Sequence, residues 1–515
     1  MYSFCKNMYN GQVINEHIHY KGGLFMKSKN LLLVLSSLFL VGCGGRGETE
    51  APTEKPADGV KDGVRVAYGM TGGNLTRAEI NVKDGKVAAA HFGEFQVGAS
   101  VLATANVAEA SDAVFTVAGK YGNSYVAKYL NFNGDVYAGT LDAEGKTVTF
   151  KKDNTDLDAK IGALTAQDEL ASLYHTLENN FVYGSDAEGN DLGLTKQLNK
   201  ASADSTYWPS KEGVLGWKGN TAKIEAALVG KDLSKDTVDK TASGATTGSF
   251  QTYIDLATKA FKGESLATVH YSRDMIEGRE KNGHSMCFAQ IELHFGADKK
   301  VKKAFINETD QFMTLAAKLT DEEAALFTDD EKLTVSTTKN DVTTTTVYAK
   351  NLSVAGELFT GSVLETAYQK EALGFSNAAV TAAKFTNSLD YFGSTLELAQ
   401  SYYHAAMLHN INKVKADGTV VAPGTRGNRT ATKAEKDNGY WNITDGSKEV
   451  VNNSRWKWNI AKVEAALVGL DLSADIAATK GDDKLWSFGT VSTGASMTEA
   501  ETFLALAKVA FSYLA

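Results

Sequence analysis

An internal repeat constrains this chain more than any other feature of its sequence. Trp217 to Ser234 reads WKGNTAKIEAALVGKDLS and Trp456 to Ser473 reads WKWNIAKVEAALVGLDLS, with 14 of 18 positions identical at a constant offset of 239. Further matches follow in the same order. Ala127-Lys128, Leu130, Gly134 and Gly139 match Ala349-Lys350, Leu352, Gly356 and Gly361 at an offset of 222. AEINVKDGKVAAAHFGE from Ala78 resembles AQIELHFGADKKVKKAFINE from Ala289, and TYIDLATKAF from Thr252 matches TFLALAKVAF from Thr502 at an offset of 250. The growing offset places insertions in the loops of the second copy. Two globular copies are expected, over 63–262 and 265–515. Repeats of this size are modules, unlike the 20–50-residue units of a solenoid.

Within a copy the pattern is mixed. Val64–Tyr68, Ala78–Val82 and Val87–Phe92 read as strands, with Lys83-Asp84-Gly85 as a hairpin turn. Thr334–Thr338 and Val342–Tyr348 flank Lys339-Asn340-Asp341 and predict a second hairpin. Apolar and polar residues alternate along Ala78-Glu79-Ile80-Asn81-Val82, which predicts a sheet with one buried face. Helices are expected from a Thr165 cap through Leu177, over Ser388–Leu408, over Thr221–Val229 and Ala461–Val468 (stopped by Gly230 and Gly469), and over Phe250–Phe261 and Ala500–Tyr513. The fold class is α+β: in each copy, an antiparallel sheet with helices packed on it.

The N-terminus carries a compartment signal. From Met26 the chain reads MKSKNLLLVLSSLFLVGCGG, two lysines followed by an apolar core from Leu31 to Val41. That run is shorter than the ~20 residues that span a bilayer and suits a signal-peptide core over 26–42. Leu40-Val41-Gly42-Cys43 has the form of a bacterial lipobox, in which Cys43 is lipidated and becomes the first mature residue. The plainer alternative is a secretory signal with a chance cysteine. Residues 1–25 read as a misassigned extension, with translation starting at Met26. Residues 43–62, polar and holding Pro52 and Pro56, read as a lipid-anchored tether. The expected location is the outer face of the bacterial cytoplasmic membrane. Net charge is −9, and loss of residues 1–42, with four lysines and one glutamate, leaves −12. With no Lys/Arg block, such a chain is repelled by phosphate backbones, so nucleic acid is not an expected partner. Three cysteines, Cys5, Cys43 and Cys287, make neither a disulfide framework nor a four-ligand zinc site.

Before the last helix of each copy lies a turn of small residues. Copy one has Ser243-Gly244-Ala245-Thr246 and copy two has Thr493-Gly494-Ala495-Ser496. A hydroxyl beside Gly and Ala at a helix start can seat a phosphate, using free backbone N–H groups and the helix dipole. The alternative is an ordinary N-cap. Recurrence of the turn in two diverged copies favours the first.

Ser243-Gly244-Ala245-Thr246 resembles the flavinylation signature of FMN-binding domains. These occur in covalent-flavin subunits of sodium-pumping and related redox complexes, and in flavin-bearing lipoproteins of Gram-positive bacteria. The resemblance implies that a flavin transferase joins FMN through its phosphate to the hydroxyl of Thr246. It makes Ser496 the corresponding residue of copy two. It extends over the layout of both copies, and is closest to two-domain lipoproteins that carry electrons to extracellular acceptors. Two departures stand out. The acidic residue that the pattern often places six positions before the modified Thr is Lys240 here, with Asp239 one residue further away. Copy two has Ser496 for Thr, and Thr490 at the acidic position. Flavin on Ser496, non-covalent flavin and no flavin all stay open for that copy.

The expected function is a surface lipoprotein that relays electrons from a membrane quinol or dehydrogenase to acceptors such as ferric iron or free flavins. It is a carrier more than an enzyme, with no catalytic residue assigned. Covalent attachment suits a compartment where a free cofactor is lost by dilution, the isoalloxazine supplying the electron chemistry. Tyr207-Trp208 and Tyr440-Trp441 are candidate ring contacts, with core or rim packing as the plainer reading. No haem, P-loop, hydrolase-elbow or dinucleotide fingerprint occurs, and His404 and His409, five apart, read as solvated or capping histidines rather than zinc ligands. The rivals are a non-redox surface adhesion module, and a lipoprotein whose leader, ending Leu38-Phe39-Leu40-Val41-Gly42, is released as a peptide pheromone.

Overall fold

The computed structural model describes residues 60–119, 122–194, 199–202, 205–273, 287–310, 312–363, 373–382, 391–408, 410–424, 456–497 and 500–514. The extension, the signal peptide, Cys43, most of the tether, His409 and Tyr440-Trp441 lie outside the described residues.

The first copy opens with three strands, β1 (Gly63–Thr71), β2 (Asn74–Lys83) and β3 (Lys86–Gln96). A ribbon follows, β4 (Val114–Gly119) and β5 (Gly122–Ala127), then β6 (Tyr129–Phe132), β7 (Asp135–Leu141), β8 (Val148–Lys152) and β9 (Thr155–Asp156). Helix α1 (Gln167–Glu178), β10 (Val182–Ser185), α2 (Trp217–Leu228) and α3 (Phe250–Phe261) complete it. The second copy repeats the order with β11 (Ala267–Arg273), β12 (Cys287–Phe295), β13 (Val301–Asp310), β14 (Lys332–Lys339) and β15 (Val342–Ala349). It continues through β16 (Asn351–Val354), β17 (Glu357–Val363), β18 (Leu373–Ser376), α4 (Leu396–Met407), β19 (Ile411–Val414) and β20 (Val420–Pro423). Helix α5 (Trp456–Leu467), a small sheet of β21 (Ala478–Lys480), β22 (Trp486–Phe488) and β23 (Val491–Ser492), and α6 (Ala500–Ser512) end the chain.

The α+β class with antiparallel sheets is as expected, and the repeated glycines explain part of it. Asn133-Gly134 and Ala355-Gly356 form matching two-residue hairpin turns with positive φ at both residues, the geometry whose twist suits adjacent strands. Asp84-Gly85 and Asn340-Asp341 do the same at the two hairpins expected from sequence. Gly139 and Gly361 donate their amides to the Lys128 and Lys350 carbonyls, at 2.8 and 2.7 Å. A Cβ at position 361 would stand 2.7 Å from the Phe375 ring. Two helix expectations need correction. Helix α1 begins at Gln167 with Ala166 at its N-cap, so Thr165 does not cap it. Helix α4 begins only at Leu396, where the Thr395 hydroxyl accepts the Leu398 amide at 3.2 Å; Gly393-Ser394 interrupts the longer run.

The copies meet through their first strands. β1 pairs antiparallel with β11, giving one six-stranded sheet in the order β13-β12-β11-β1-β2-β3. Helices α3 and α6 cover one face, each over the strands of its own copy. There Ile80 and Phe92 pack with Ile224 and Tyr253 in copy one, and Ile291 and Ile306 with Val463 and Phe503 in copy two. On the other face α1 and α4 share a core drawn from both copies, including Val66, Tyr68, Tyr174, Val269, Tyr271 and Tyr403.

That second face corrects the expectation of a sheet with one solvated side. Arg77, Glu79 and Asn81, the polar positions of the alternation, are all buried. Helix α4 of the other copy lies over the last two, where Gln400 donates to Glu79 at 2.6 Å and accepts from Asn81 at 3.1 Å, while Arg77 lies against the Tyr174 ring of α1. Alternation reports which residues share a face, and a face of polar residues can be covered by a partner that satisfies them.

Candidate functional site

The matched WK motif builds the same local structure twice. Asn220, one turn into α2, accepts the Thr246 amide (2.7 Å) and the Thr247 amide (2.9 Å) on Oδ1. Its Nδ2 donates to the Leu215 and Gly216 carbonyls, both at 2.9 Å. In copy two Asn459 Oδ1 accepts the Ser496 amide at 2.7 Å. The Thr246 hydroxyl lies 3.3 Å from Asn220 Oδ1, and that of Ser496 3.5 Å from Asn459 Oδ1. Gly244 and Gly494 occupy left-handed backbone (φ 73° and 69°), while Ala245 and Ala495 are buried beneath the turn. Ser243 and Thr493 each accept the amide two residues on, at 3.1 and 2.9 Å. All eight residues singled out in the two turns therefore superpose in role.

Three details revise the sequence expectation. The amides of Thr246 and Thr247 are taken by Asn220, so the turn is not a seat of free N–H groups. Nor does Thr246 cap α3, whose N-cap is Ser249. Asp239, displaced by one residue from the family position, caps a short helical turn, Lys240–Ser243, by accepting the Ala242 amide at 2.7 Å. In copy two the turn is instead clamped to the β21–β23 sheet: Trp486 donates its amide to the Ala495 carbonyl at 2.9 Å and its indole N–H to the Met497 carbonyl at 2.5 Å. Thr246 is accordingly exposed, and Ser496 half-buried.

A lysine accompanies each turn. Lys462 donates to the Gly494 carbonyl at 2.9 Å, and the stem of its counterpart Lys223 passes 4.0 Å from where a Gly244 Cβ would stand. An exposed hydroxyl, open space over Gly248 and a cation on the neighbouring helix suit a phosphoester at Thr246. Beneath this turn the Trp217 indole donates to Tyr253 (2.9 Å), whose hydroxyl donates to Glu94 (2.8 Å). Lys200 pairs with Glu94 at 2.6 Å and lies 3.7 Å from the centre of the Tyr207 ring. Copy two has Phe503 where copy one has Tyr253.

The seam between the copies holds a second polar cluster that sequence reasoning missed. Arg77 pairs with both buried carboxylates, Glu79 at 2.5 Å and Glu292 at 2.9 Å. Tyr68 donates to Glu292, and Tyr271 to Glu79, both at 2.7 Å. His175 and His404, at equivalent places on α1 and α4, each cross to the other copy: His175 reaches Glu292 at 3.3 Å and His404 reaches Glu79 at 3.0 Å. His175 stacks on Phe305, and the His404 ring lies tilted against that of His91. Burial alone would lower the His175 pKa, but Glu292 on one side and Glu178 on the other raise it to about 9. Burial also works to raise the Glu292 pKa, and is outweighed by His175 and Arg77, which hold it well below the carboxylate range. His404 is therefore a half-buried partner of the buried Glu79 carboxylate, not the solvated or capping residue expected. The signal lay in the recurrence of a histidine at one position of two equivalent helices.

Among the described residues, no group of three His, Cys, Asp or Glu side chains is placed to hold a metal ion, and no helix is long and apolar enough to cross a membrane. No family profile, no curated protein and no solved structure matches the chain.

Proposed function

We propose that this chain is a lipid-anchored flavoprotein that carries FMN as a phosphoester on Thr246, Ser496 being the corresponding residue of copy two. It would relay electrons on the outer face of the cytoplasmic membrane, from a membrane quinol or dehydrogenase to acceptors such as ferric iron or free flavins. The observation that carries the reading is the recurrence of one turn in two diverged copies. Each time a hydroxyl follows Gly-Ala and hangs on a helix asparagine, while a lysine from the same helix lies beside the turn's glycine. A helix cap would not need this construction, and in copy one the cap position belongs to another residue. Bound FMN would supply the one- and two-electron chemistry. The chain's own part is to present an esterifiable hydroxyl, place Lys223 near the phosphate and keep the cofactor from diffusing away.

The test is co-expression of the chain, without its lipid anchor, with a bacterial flavin transferase, followed by intact mass after denaturation. The expected result is a gain of one FMN less water that Thr246→Ala abolishes. A second increment, lost with Ser496→Ala, would make both copies redox sites. No gain beside a control substrate that is modified would overturn the reading and leave a surface-binding module as the better account.

A further inference from the structure

Trp208 combines three features that packing does not explain. Its φ is +39°, a backbone region that bulky residues rarely enter. It also precedes Pro209, which disfavours compact backbone at the residue before it. Finally, its side chain is 43% exposed, and its indole has no hydrogen-bond or ring partner among the described residues. Strain of this kind persists only where the surroundings over-determine it, and it concentrates at functional sites.

The surroundings do over-determine it. The Trp208 carbonyl accepts the Trp217 amide at 2.9 Å, at the first residue of α2. A Cβ at position 216 would stand 2.3 Å from that same carbonyl oxygen, so only glycine lets the two segments meet. Gly216 in turn donates to the Ser210 hydroxyl at 3.0 Å, and its carbonyl receives Asn220. The backbone that holds Trp208 and the side chain that holds Thr246 are thus fastened to the same first turn of α2. The neighbouring Tyr207 is already engaged beneath Lys200.

Resting on the covalent-flavin reading of Thr246, we propose that Trp208 is the aromatic platform against which the isoalloxazine ring of that flavin lies. A solvent-facing indole on a fixed stretch of backbone offers a large apolar face. Because Trp208 and the Thr246 turn are both fastened to the first turn of α2, that face falls within the sweep of a cofactor tethered at Thr246 by its phosphate.

The test uses the full mature chain flavinylated in a Ser496→Ala background, so that only the Thr246 flavin is read. Trp208→Asn tolerates positive φ and removes the ring, while Trp208→Phe keeps an aromatic face without the indole. Intact mass, thermal midpoint, flavin fluorescence lifetime and midpoint potential are measured for each. The expected result is an unchanged mass gain, with a fluorescence lifetime several-fold longer in both variants because the quenching indole is gone. The potential should shift in Trp208→Asn and return toward the parent value in Trp208→Phe. A full mass gain with an unaltered lifetime overturns the platform and leaves the flavin reading standing. Absence of the mass gain in the parent chain overturns both.

Discussion

Asn220 joins two separate stretches of backbone with a single amide: Oδ1 serves Thr246 and Thr247, and Nδ2 serves Leu215 and Gly216. Asn220 is buried, so truncation leaves these groups without partners where water reaches poorly. Asn220→Ala is expected to cost about 2–4 kcal/mol, read as a lower urea midpoint at an unchanged m-value. Asn220→Asp keeps the acceptor and should recover part of the loss. An Asn220→Ala midpoint equal to that of the parent would show that the turn is held by something else. Asn459 likewise accepts the turn amide of Ser496 in copy two, which is why asparagine stands at that place in both WK motifs while its neighbours Thr221 and Ile460 differ.

Helices α2 and α5 each close an edge of the central sheet. β3 and β13 are its outermost strands, and an unpaired edge invites another chain. Gly230 and Lys231 exchange hydrogen bonds with Val87, both at 2.8 Å, and Gly469 and Leu470 do so with Val301 at 2.7 and 3.1 Å. Further along, Glu225 accepts the Phe92 amide at 2.9 Å and Glu464 the Ile306 amide at 2.7 Å. Burial raises both carboxyls to about 7, against the opposing pull of those amides. Both side chains keep some contact with solvent. A carboxyl whose folded pKa exceeds its unfolded value favours folding most below the unfolded value, and that advantage is lost as pH rises through the folded one. Glu225→Gln/Glu464→Gln, which keeps an acceptor and drops the charge, should therefore raise stability at about pH 8 by ~1–2 kcal/mol per site and give no gain near pH 4. Denaturant midpoints at the two pH values decide it. An equal effect at both would mean that burial does not penalise the charge at these sites. Much of this was legible in sequence: Gly230 and Gly469 as helix stops, Phe250–Phe261 as a helix, and the eight turn residues. The roles of Glu225 and Glu464 were not, because nothing local tells a carboxylate that faces a strand edge from one that faces water. Glu79 and Asn81 were misread for a related reason: the helix that covers them comes from more than 300 residues further along the chain, Gln400 lying 321 positions from Glu79 and 319 from Asn81.

The two copies cannot melt apart. The central pairing of β1 with β11 and the core beneath α1 and α4 belong to both, and Arg77 of one copy neutralises Glu292 of the other. Breaking a buried pair of this kind typically costs about 3–5 kcal/mol, so partial unfolding of one copy removes support from its twin. Calorimetry of the chain is expected to give one transition with calorimetric and van't Hoff enthalpies in agreement; two resolved transitions would contradict a shared core. The same pairing sets the order of events during synthesis. Val64 lies opposite Val269, so the strand that emerges first waits about 200 residues for its neighbour, and contacts that distant in sequence form slowly. Until then β1 is an open edge in the middle of the future sheet. A message cut short after the first copy would release a chain that never leaves that state, and its nearest substitute for β11 is the β1 of another such fragment. Joining the copies in one polypeptide thus guards against stray self-assembly, since the proper partner always follows on the same ribosome.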